Sequence, residues 1–225
     1  MMLFSNFFTP LDIADVYMSN IKIDYASSIR FLGVIIDDKL KFNLHINTIT
    51  KKISKSIGVL YKLQQYVSSE TLLSVYRCII ECYINYCNVI FGNARSIHIN
   101  PLIIAQKKAV RVVVKQPPLS HSNPIFSSLK ILKVRDFYNY NLGSYFHKNE
   151  GKFRQYFRIN LNNTRSGDHY VPPLQRLTLT YNQSIINQAL LNWVDIPPNI
   201  RNSPSFSSFK KNYKLHLLSQ YQDES

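Results

Sequence analysis

The chain has 225 residues, 45% of them hydrophobic and 18% charged, which indicates a folded domain and excludes a chain that is disordered throughout. Its 27 Lys and Arg residues outnumber its 13 Asp and Glu residues, so the formal net charge is +14. This excess predicts a polyanionic partner, either nucleic acid or an anionic membrane surface, with a merely soluble basic surface as the alternative.

The N-terminal part of the chain is predicted to form strands. Residues Asn20 to Tyr25 alternate polar and apolar side chains, which is typical of a strand with one buried face. The run from Ile29 to Ile36 is mostly apolar, and Gly33 within it fits a place in a strand where backbones approach closely. Asp37 and Asp38 follow, and we expect them to end this strand and to begin a polar turn.

Two helices are predicted next. From about Asn43, apolar side chains recur every three or four residues and form one stripe. The stripe consists of Ile46, Ile49, Ile53, Ile57, Leu60 and Leu63. A second helix follows Ser68 or Ser69, either of which can cap it. Its broad apolar face comprises Leu72, Val75, Tyr76, Ile79, Ile80, Tyr83 and Ile84. A turn at Phe91-Gly92-Asn93 ends this unit.

The rest of the chain is predicted to be mainly helical. Asn100-Pro101, a capping residue followed by proline, predicts the start of a third helix, which Pro117-Pro118 ends. A short helix follows Asn123-Pro124, and another spans Val134 to about His147. Residues 150–182 are poorly patterned and are predicted to be a loop or linker. Two helices close the chain. One covers about Gln183 to Trp193, and the last starts near Ser203-Pro204 with Phe206, Phe209, Tyr213 and Leu217 on one face.

Basic residues concentrate in two stretches that contain no acid, residues 39–69 and 82–135. On the predicted helices, the candidate phosphate-binding residues are Lys51, Lys52, Lys55, Lys62, Lys107, Lys108 and Arg111. Lysine and arginine bind nucleic acid by neutralising phosphates, which requires no base recognition. For the first group the alternative is an ordinary solvated helix face, and for the second it is the rim of a buried helix.

The three cysteines, Cys78, Cys82 and Cys87, are too few and too close together for a disulfide framework, which indicates a reducing compartment. Zinc is disfavoured because no histidine follows at ligand spacing, so we expect buried free cysteines and no metal. No run of eighteen apolar residues is present, and residues 1–9 lack the features of a signal peptide. We therefore expect an intracellular chain without a membrane partner.

Several segments, taken in order, resemble the C-terminal part of the reverse transcriptases of non-LTR (LINE-type, jockey-like) retrotransposons. The N-terminal matches are Phe31-Leu32-Gly33-Val34 and the following Lys39-Leu40-Lys41-Phe42. The central matches are Tyr86-Cys87, Phe91-Gly92-Asn93-Ala94 and Gln106 to Arg111. Near the end, Asn192-Trp193, Ile196-Pro197 and Ile200-Arg201 are similar to the family's tail, although the tryptophan–asparagine order is changed and a preceding Gly-Pro is absent.

The resemblance implies an α+β architecture in four parts. Residues 1–38 would be the remnant of a palm domain, and Phe31, Leu32 and Gly33 would belong to the primer grip, a hairpin that holds the primer's 3′ end. Residues 39–149 would form a helical thumb-like domain. Residues 150–182 would be a linker, and residues 183–225 a helical tail.

The resemblance also implies a function. Family members copy RNA into DNA by two-metal phosphoryl transfer, for which carboxylates hold the Mg²⁺ ions. We expect those aspartates to lie upstream of residue 1, so that this chain has no catalytic residue, metal or cofactor and does not polymerise alone. Its expected partners are the backbone of a template–primer duplex and, in a full-length element, the palm and fingers. The alternatives are a non-functional transposon relic and a recruited module that binds nucleic acid or protein.

Asp37-Asp38 superficially imitates a catalytic aspartate pair, with Asp12 or Asp15 as the third acid. We reject this interpretation, because a two-metal site needs a scaffold that makes three acids converge. About two dozen residues separate Asp12 and Asp15 from Asp37-Asp38, which is too few for the family's intervening helices.

Overall fold

The computed structural model describes Met2, Phe4 and residues 15–153, 158–159, 170–171 and 184–221. In these ranges short antiparallel strand pairs come first and a bundle of helices follows. The predicted α+β class, mainly helical after residue 40, is therefore confirmed.

The described elements have the following bounds. The N-terminal strands are β1 (Tyr17–Met18), β2 (Ile21–Lys22), β3 (Ser28–Phe31) and β4 (Val34–Asp37). The helices up to residue 153 are α1 (Asn43–Leu63), α2 (Ser69–Tyr76), a π-helical turn (Arg77–Glu81), α3 (Cys82–Asn85), α4 (Asn88–Phe91), α5 (Ser96–Val113), α6 (Asn123–Leu129), α7 (Val134–Lys148) and α8 (Glu150–Phe153). Then come β5 (Arg158–Ile159), β6 (Tyr170–Val171), α9 (Ile185–Asp195), α10 (Pro198–Arg201) and α11 (Phe206–Ser219).

Two tight hairpins replace the longer strands that the sequence predicts. β1 pairs with β2 across Ser19 and Asn20, whose φ angles are 50° and 63°. β3 pairs with β4 across Leu32 and Gly33, whose φ angles are 46° and 84°. Two-residue turns with positive φ at both positions match the right-handed twist of paired strands.

The prediction of a single strand over Ile29–Ile36 is wrong, because the chain folds back at Leu32-Gly33. The hydrophobic pattern hides this turn, since Leu32 is apolar although it lies at the tip and is 75% exposed. Gly33 supplies the positive φ of the turn rather than a close approach inside a strand. The predicted strand at Asn20–Tyr25 is also shorter, since only Ile21–Lys22 is paired.

The polar turn predicted after β4 is confirmed. β4 ends at Asp37, whose side chain is buried. Its carboxylate accepts hydrogen bonds from the backbone N–H groups of Lys39 at 3.2 Å, Lys41 at 3.0 Å and Phe42 at 2.6 Å. Three amide donors satisfy a buried carboxylate, so Asp37 fixes the connection between the hairpin and α1.

The predicted apolar stripe of α1 is confirmed. Ile46, Ile53 and Leu60 are fully buried and Ile49 and Ile57 nearly so, while Leu63 packs at the edge of the core. α1 makes its most extensive helix contact with α5, and β4 packs on it through the buried Val34.

The second predicted helix is observed as a continuous run from α2 through the π turn to α3. Ser68 caps it, its Oγ accepting the N–H of Thr71 at 3.3 Å. The predicted face is buried or partly buried throughout. The sequence does not predict the π turn, because its one wider turn barely disturbs the spacing of apolar residues.

After α4, Gly92 is required by packing, since a Cβ there would lie 2.6 Å from Cδ2 of Tyr138.

Helix α5 starts at Ser96, so the start predicted at Asn100-Pro101 is wrong and Pro101 lies inside the helix. The N–H groups of His98 and Ile99 both donate to the carbonyl of Arg95, which closes a first turn ahead of the proline. Pro101 is exposed and is the sixth residue of α5, so the helix lacks the hydrogen bond that an N–H at this position would donate.

A buried glutamine joins three parts of the core. Gln106 of α5 is fully buried. Its Nε2 donates to the carbonyl of Leu132 at 2.9 Å and to the hydroxyl of Tyr76 at 3.2 Å. Its Oε1 accepts the N–H of Val134 at 3.0 Å, at the start of α7. Gln106 therefore connects α2, α5 and the α6–α7 junction.

The C-terminal helices pack on α7 and share its core. Ser184 caps α9 and Ser205 caps α11, so the last helix starts two to three residues after the predicted Ser203-Pro204. Trp193 and Phe209 are buried in the same cluster as the α1 stripe. Of the predicted linker 150–182, the structure describes α8 and the antiparallel pair β5–β6, neither of which was predicted; the remainder lies outside the described residues. The four-part domain division stays a prediction.

Candidate nucleic-acid interface

The outer face of α1 carries three lysines that point away from the core. Lys51, Lys55 and Lys62 are exposed and fall about opposite the buried stripe when residues are placed at 100° intervals. Within residues 15–153 and 184–221, none of these three side chains forms an ion pair or hydrogen bond. The predicted exposure of this basic face is confirmed, and its charges are available to a ligand.

Lys52 lies on the flank of α1 and contacts a neighbouring helix. Its Nζ is 5.2 Å from the ring centroid of Tyr83 on α3, a cation–π geometry. The sequence groups Lys52 with Lys51 and Lys55, whereas the structure turns it towards α3.

The hairpin β3–β4 and α1 share a positive field, which is visible at His45. Burial lowers the pKa of His45, and the charges of Lys52 and Arg30 lower it further. Nδ1 of His45 accepts the N–H of Ile35 at 3.4 Å, which fits a neutral ring. Arg30 of β3 was not among the predicted candidates. It directly precedes the segment Phe31-Leu32-Gly33-Val34, and that position is the signal that could have identified it.

The three primer-grip-like residues lie together at the hairpin tip. Phe31 is 61% exposed and Leu32 75% exposed, and Gly33 completes the turn. The hydroxyl of Tyr86, just after α3, donates to the carbonyl of Leu32 at 2.6 Å. A Cβ on Gly33 would lie 3.7 Å from Cε1 of the same tyrosine. Tyr86 therefore anchors the exposed tip to the helical bundle, a role that its sequence motif does not reveal.

The second predicted basic group, on α5, is more closely tied to the fold. Lys108 is exposed, while Lys107 and Arg111 are half-buried. Nε of Arg111 donates to the carbonyl of Ser120 at 2.8 Å and so holds the loop that follows α5. Because α1 and α5 pack against each other, their outer faces are directed away from the interface that they share. The basic residues of α1 and those of α5 therefore form separate surfaces.

The cysteines differ from expectation. Cys78 and Cys82 are exposed, so the prediction of burial is wrong for both; Cys87 is half-buried. Cys82 donates through Sγ to the carbonyl of Cys78 at 2.8 Å on the outer side of the helix. In the part of the chain that the structure describes, no group of three His, Cys, Asp or Glu residues is arranged to hold a metal ion.

The acids considered as a catalytic set do not come together in the described residues. Asp37 is buried and uses its carboxylate to hold backbone amides. Asp15 forms an ion pair with Lys22 at 2.8 Å, and Asp12 lies outside the described residues. None of the helices in residues 15–153 and 184–221 is long and apolar enough to cross a membrane.

Comparison with known proteins gives one informative similarity. Over 128 residues, the chain is 24% identical to an RNA-directed DNA polymerase from the mobile element jockey of Drosophila funebris. The similar segment covers 56% of this chain and 14% of that protein, so the chain spans only a small part of its relative. Neither a protein-family model nor a solved structure matches. The similarity supports a relation to a retrotransposon reverse transcriptase.

Proposed function

We propose that this chain is the part of a reverse-transcriptase-related protein that grips the backbone of a template–primer duplex without reading its sequence. The observation that carries the proposal is the outer face of α1, where Lys51, Lys55 and Lys62 are exposed and have no partner within the described residues. The similarity to a polymerase encoded by a mobile element supports nucleic acid as the polyanion.

The spacing of these lysines suits a row of phosphates. Lys51 and Lys55 are separated by about 6 Å along the helix axis, and Lys55 and Lys62 by about 10 Å, at 1.5 Å per residue. These separations correspond to roughly two and three base-pair steps along the axis of a duplex, at about 3.4 Å each. Ammonium groups that contact phosphates fix the position of a duplex but carry no sequence information.

The hairpin places a different kind of surface beside the lysines. Phe31 and Leu32 project apolar side chains into solvent at a tip that Tyr86 holds. Burial lowers the pKa of His45 at the start of α1, and the charges of Lys52 on α1 and Arg30 on β3 lower it further, so both elements contribute positive charge here. We propose that this tip contacts the primer end while the α1 lysines hold the backbone.

We place the chemistry of polymerisation outside the described residues. Two-metal phosphoryl transfer requires carboxylates that converge on both ions. Both carboxylate oxygens of Asp37, the buried acid that ends β4 of the hairpin, accept hydrogen bonds from backbone amides. The chain alone is therefore proposed to bind duplex without extending a primer. In a full-length element, other segments would supply the aspartates and the Mg²⁺ that they hold.

The proposal is tested by replacing Lys51, Lys55 and Lys62 with glutamine and measuring affinity for two RNA–DNA hybrids of unrelated sequence. We expect binding to both hybrids to weaken by the same factor, tenfold or more at low salt, because the lost contacts are electrostatic. The control variant replaces the exposed Lys130, Lys148 and Lys152, which removes the same charge elsewhere. Equal losses in both variants, or a loss on one sequence only, would contradict a backbone grip at α1.

The exposed apolar side chains of the hairpin favour a second function, docking of another polypeptide. Ile29 is 50% exposed and lies on the same strand as Phe31, and β3 pairs on one edge only within the described residues. An open strand edge with apolar side chains invites pairing with another strand. Replacing Ile29 and Phe31 with serine should then abolish association with that polypeptide, the palm and fingers in a full-length element, while binding to a hybrid held by the α1 lysines persists.

A further inference from the structure

Two lysine–tyrosine pairs lie at helix α3 and beside it. In the first, Nζ of Lys52 lies 5.2 Å from the ring centroid of Tyr83 on α3. In the second, Nζ of Lys210 on α11 lies 5.7 Å from the ring centroid of Tyr140 on α7 and 5.6 Å from that of Phe206 on its own helix. Both tyrosines are partly exposed. Each pair therefore offers an ammonium group and an aromatic face at the same point.

Side-chain contacts join the second pair to α3. Nδ2 of Asn141, the residue after Tyr140, donates to Oδ1 of Asn85 at 2.8 Å. The ring of Tyr140 also stacks on Tyr213 of α11, with centroids 6.2 Å apart and planes inclined by 26°. Tyr140 is therefore supported on one face.

The outer side of α3, between the two pairs, is open to solvent. Cys82 lies two residues from the buried Ile84 and therefore about 200° around the helix from it. Cys82 and Cys78 are both exposed. A ligand that reaches from one pair to the other crosses one helix, about 10–12 Å in diameter, and passes over these thiols.

The charge on this surface is mainly positive. Lys52 and Lys210 belong to the two pairs, and Lys214 lies one helical turn after Lys210. Glu81 of the π turn contributes a negative charge, and both Lys214 and Arg77 act on it electrostatically. Asp136 and Asp195 act on Tyr213, the ring behind Tyr140. The basic groups number four against these three acids, and a net positive balance favours a polyanion.

We propose that this lysine–tyrosine surface binds single-stranded nucleic acid across helix α3. The surface consists of Lys52, Tyr83, Asn85, Tyr140, Asn141 and Lys210. The inference extends the proposed function, on which it rests for the identity of the polyanion, and it adds a second site with a different form of ligand.

The combination of groups selects a single strand. In a duplex the bases stack on one another and present no free faces, whereas in a single strand each base offers an aromatic face to a side chain. On binding, a base takes the place of the ammonium group over the tyrosine ring, and the ammonium group moves to the adjacent phosphate. Asn85 and Asn141 can donate and accept hydrogen bonds with either base or backbone.

The experiment measures the affinity of the full chain for fluorescein-labelled oligo(U), oligo(dT) and an RNA–DNA hybrid. The variants are Y83L/Y140L, which removes both rings, and Y83F/Y140F, which keeps them. Stacking on aromatic side chains contributes enough that losing two rings should weaken single-strand binding about tenfold or more. We expect that loss in the leucine variant for both oligomers, wild-type affinity in the phenylalanine variant, and hybrid binding within about twofold. A control variant, Y66L, changes the 81% exposed Tyr66 and should behave as wild type.

A second measurement needs no variant and so does not depend on mutant folding. Saturating oligo(U) should slow alkylation of Cys78 and Cys82 by iodoacetamide, because the strand crosses them, and mass spectrometry of the peptides reports each site. Unprotected cysteines, a folded leucine variant with wild-type single-strand affinity, or equal losses for single strand and hybrid would each overturn the proposal. Failure of the duplex grip would appear differently, as a K51Q/K55Q/K62Q variant with unchanged hybrid affinity and intact tyrosine dependence.

Discussion

Helices α1 and α5 pack against each other and both carry a basic outer face. The basic side chains of the two faces differ in the contacts that they make with the rest of the chain. On α1, Lys51, Lys55 and Lys62 extend into solvent with no partner among the described residues. On α5, Arg111 holds the loop at Ser120, and Lys107 is half-buried. The comparison shows that a basic stretch in a sequence combines charges available to a ligand with charges used by the fold.

The buried sides of the two helices differ as well. Both helices bury apolar side chains, but the buried His45 of α1 accepts one hydrogen bond, from the N–H of Ile35, whereas the buried Gln106 of α5 makes three. Loss of an apolar side chain leaves a cavity, but loss of a buried hydrogen-bonding group leaves its partners without bonds.

The largest expected effect on stability comes from Gln106→Leu. This change leaves the carbonyl of Leu132, the hydroxyl of Tyr76 and the N–H of Val134 without their partner. Each unsatisfied buried group costs on the order of 1–3 kcal/mol, so we expect a loss of roughly 3 kcal/mol or more in the free energy of unfolding. Urea denaturation measures it, and Gln116→Leu, at an exposed position, is the control. Similar stability of the two variants would show that the hydrogen bonds of Gln106 do not stabilise the connection of α2, α5 and the α6–α7 junction.

A smaller loss is expected for Arg111→Gln. The guanidinium donates one hydrogen bond to the carbonyl of Ser120, and a net contribution of about 1 kcal/mol is typical of such a bond. Lys108→Gln removes a charge from the same helix at an exposed position and should leave the free energy of unfolding within about 0.5 kcal/mol of wild type. If Arg111→Gln is as stable as Lys108→Gln, the claim that the fold of α5 uses the charge of Arg111 is contradicted.

The pH dependence of stability should report the burial of His45 and the positive charges near it. Burial, Lys52 and Arg30 hold the pKa of His45 below the usual histidine value of 6.5. The unfolded state then binds more protons than the folded state, so the contribution is complete above pH 6.5 and is lost as pH falls through the folded pKa. We expect the free energy of unfolding to decrease between pH 7.5 and pH 5, and to decrease less in His45→Gln.

Two histidines complete that experiment. Burial also lowers the pKa of His147, so part of the pH dependence should remain in the His45 variant. His98→Gln changes a histidine of α5 and serves as the control. A pH dependence that is identical in wild type and His45→Gln would contradict the lowered pKa of His45.

The sequence predicts the features that depend on local periodicity. The α1 stripe follows from the 3.6-residue repeat, and the exposure of its lysines follows from the stripe. The apolar pattern does not predict the hairpin turn, because it continues through Leu32, although the resemblance to a primer grip implies a hairpin there. The start of α5 is not predicted, because Asn100-Pro101 imitates a helix start. Local signals indicate which residues form an element more reliably than where the element turns or begins.

The candidate site, too, can be predicted only in part from the sequence. Its lysines can be identified from charge and periodicity, but their partners cannot. The contact of Lys52 with Tyr83 and the bond from Tyr86 to Leu32 join residues that are 31 and 54 positions apart. Such pairings arise from the packing of helices and strands, and so does the exposure of Cys78 and Cys82.

The central claim is that the outer face of α1, more than that of α5, holds the backbone of a duplex. A salt titration of binding to an RNA–DNA hybrid compares K51Q/K55Q with K107Q/K108Q, two variants that lose the same charge. Each phosphate contact contributes about 0.9 to the slope of log affinity against log salt concentration. We expect the slope to become shallower by nearly two units in the α1 variant and by less than one in the α5 variant. Equal changes in the two variants, or an unchanged slope in a folded α1 variant, would contradict the claim.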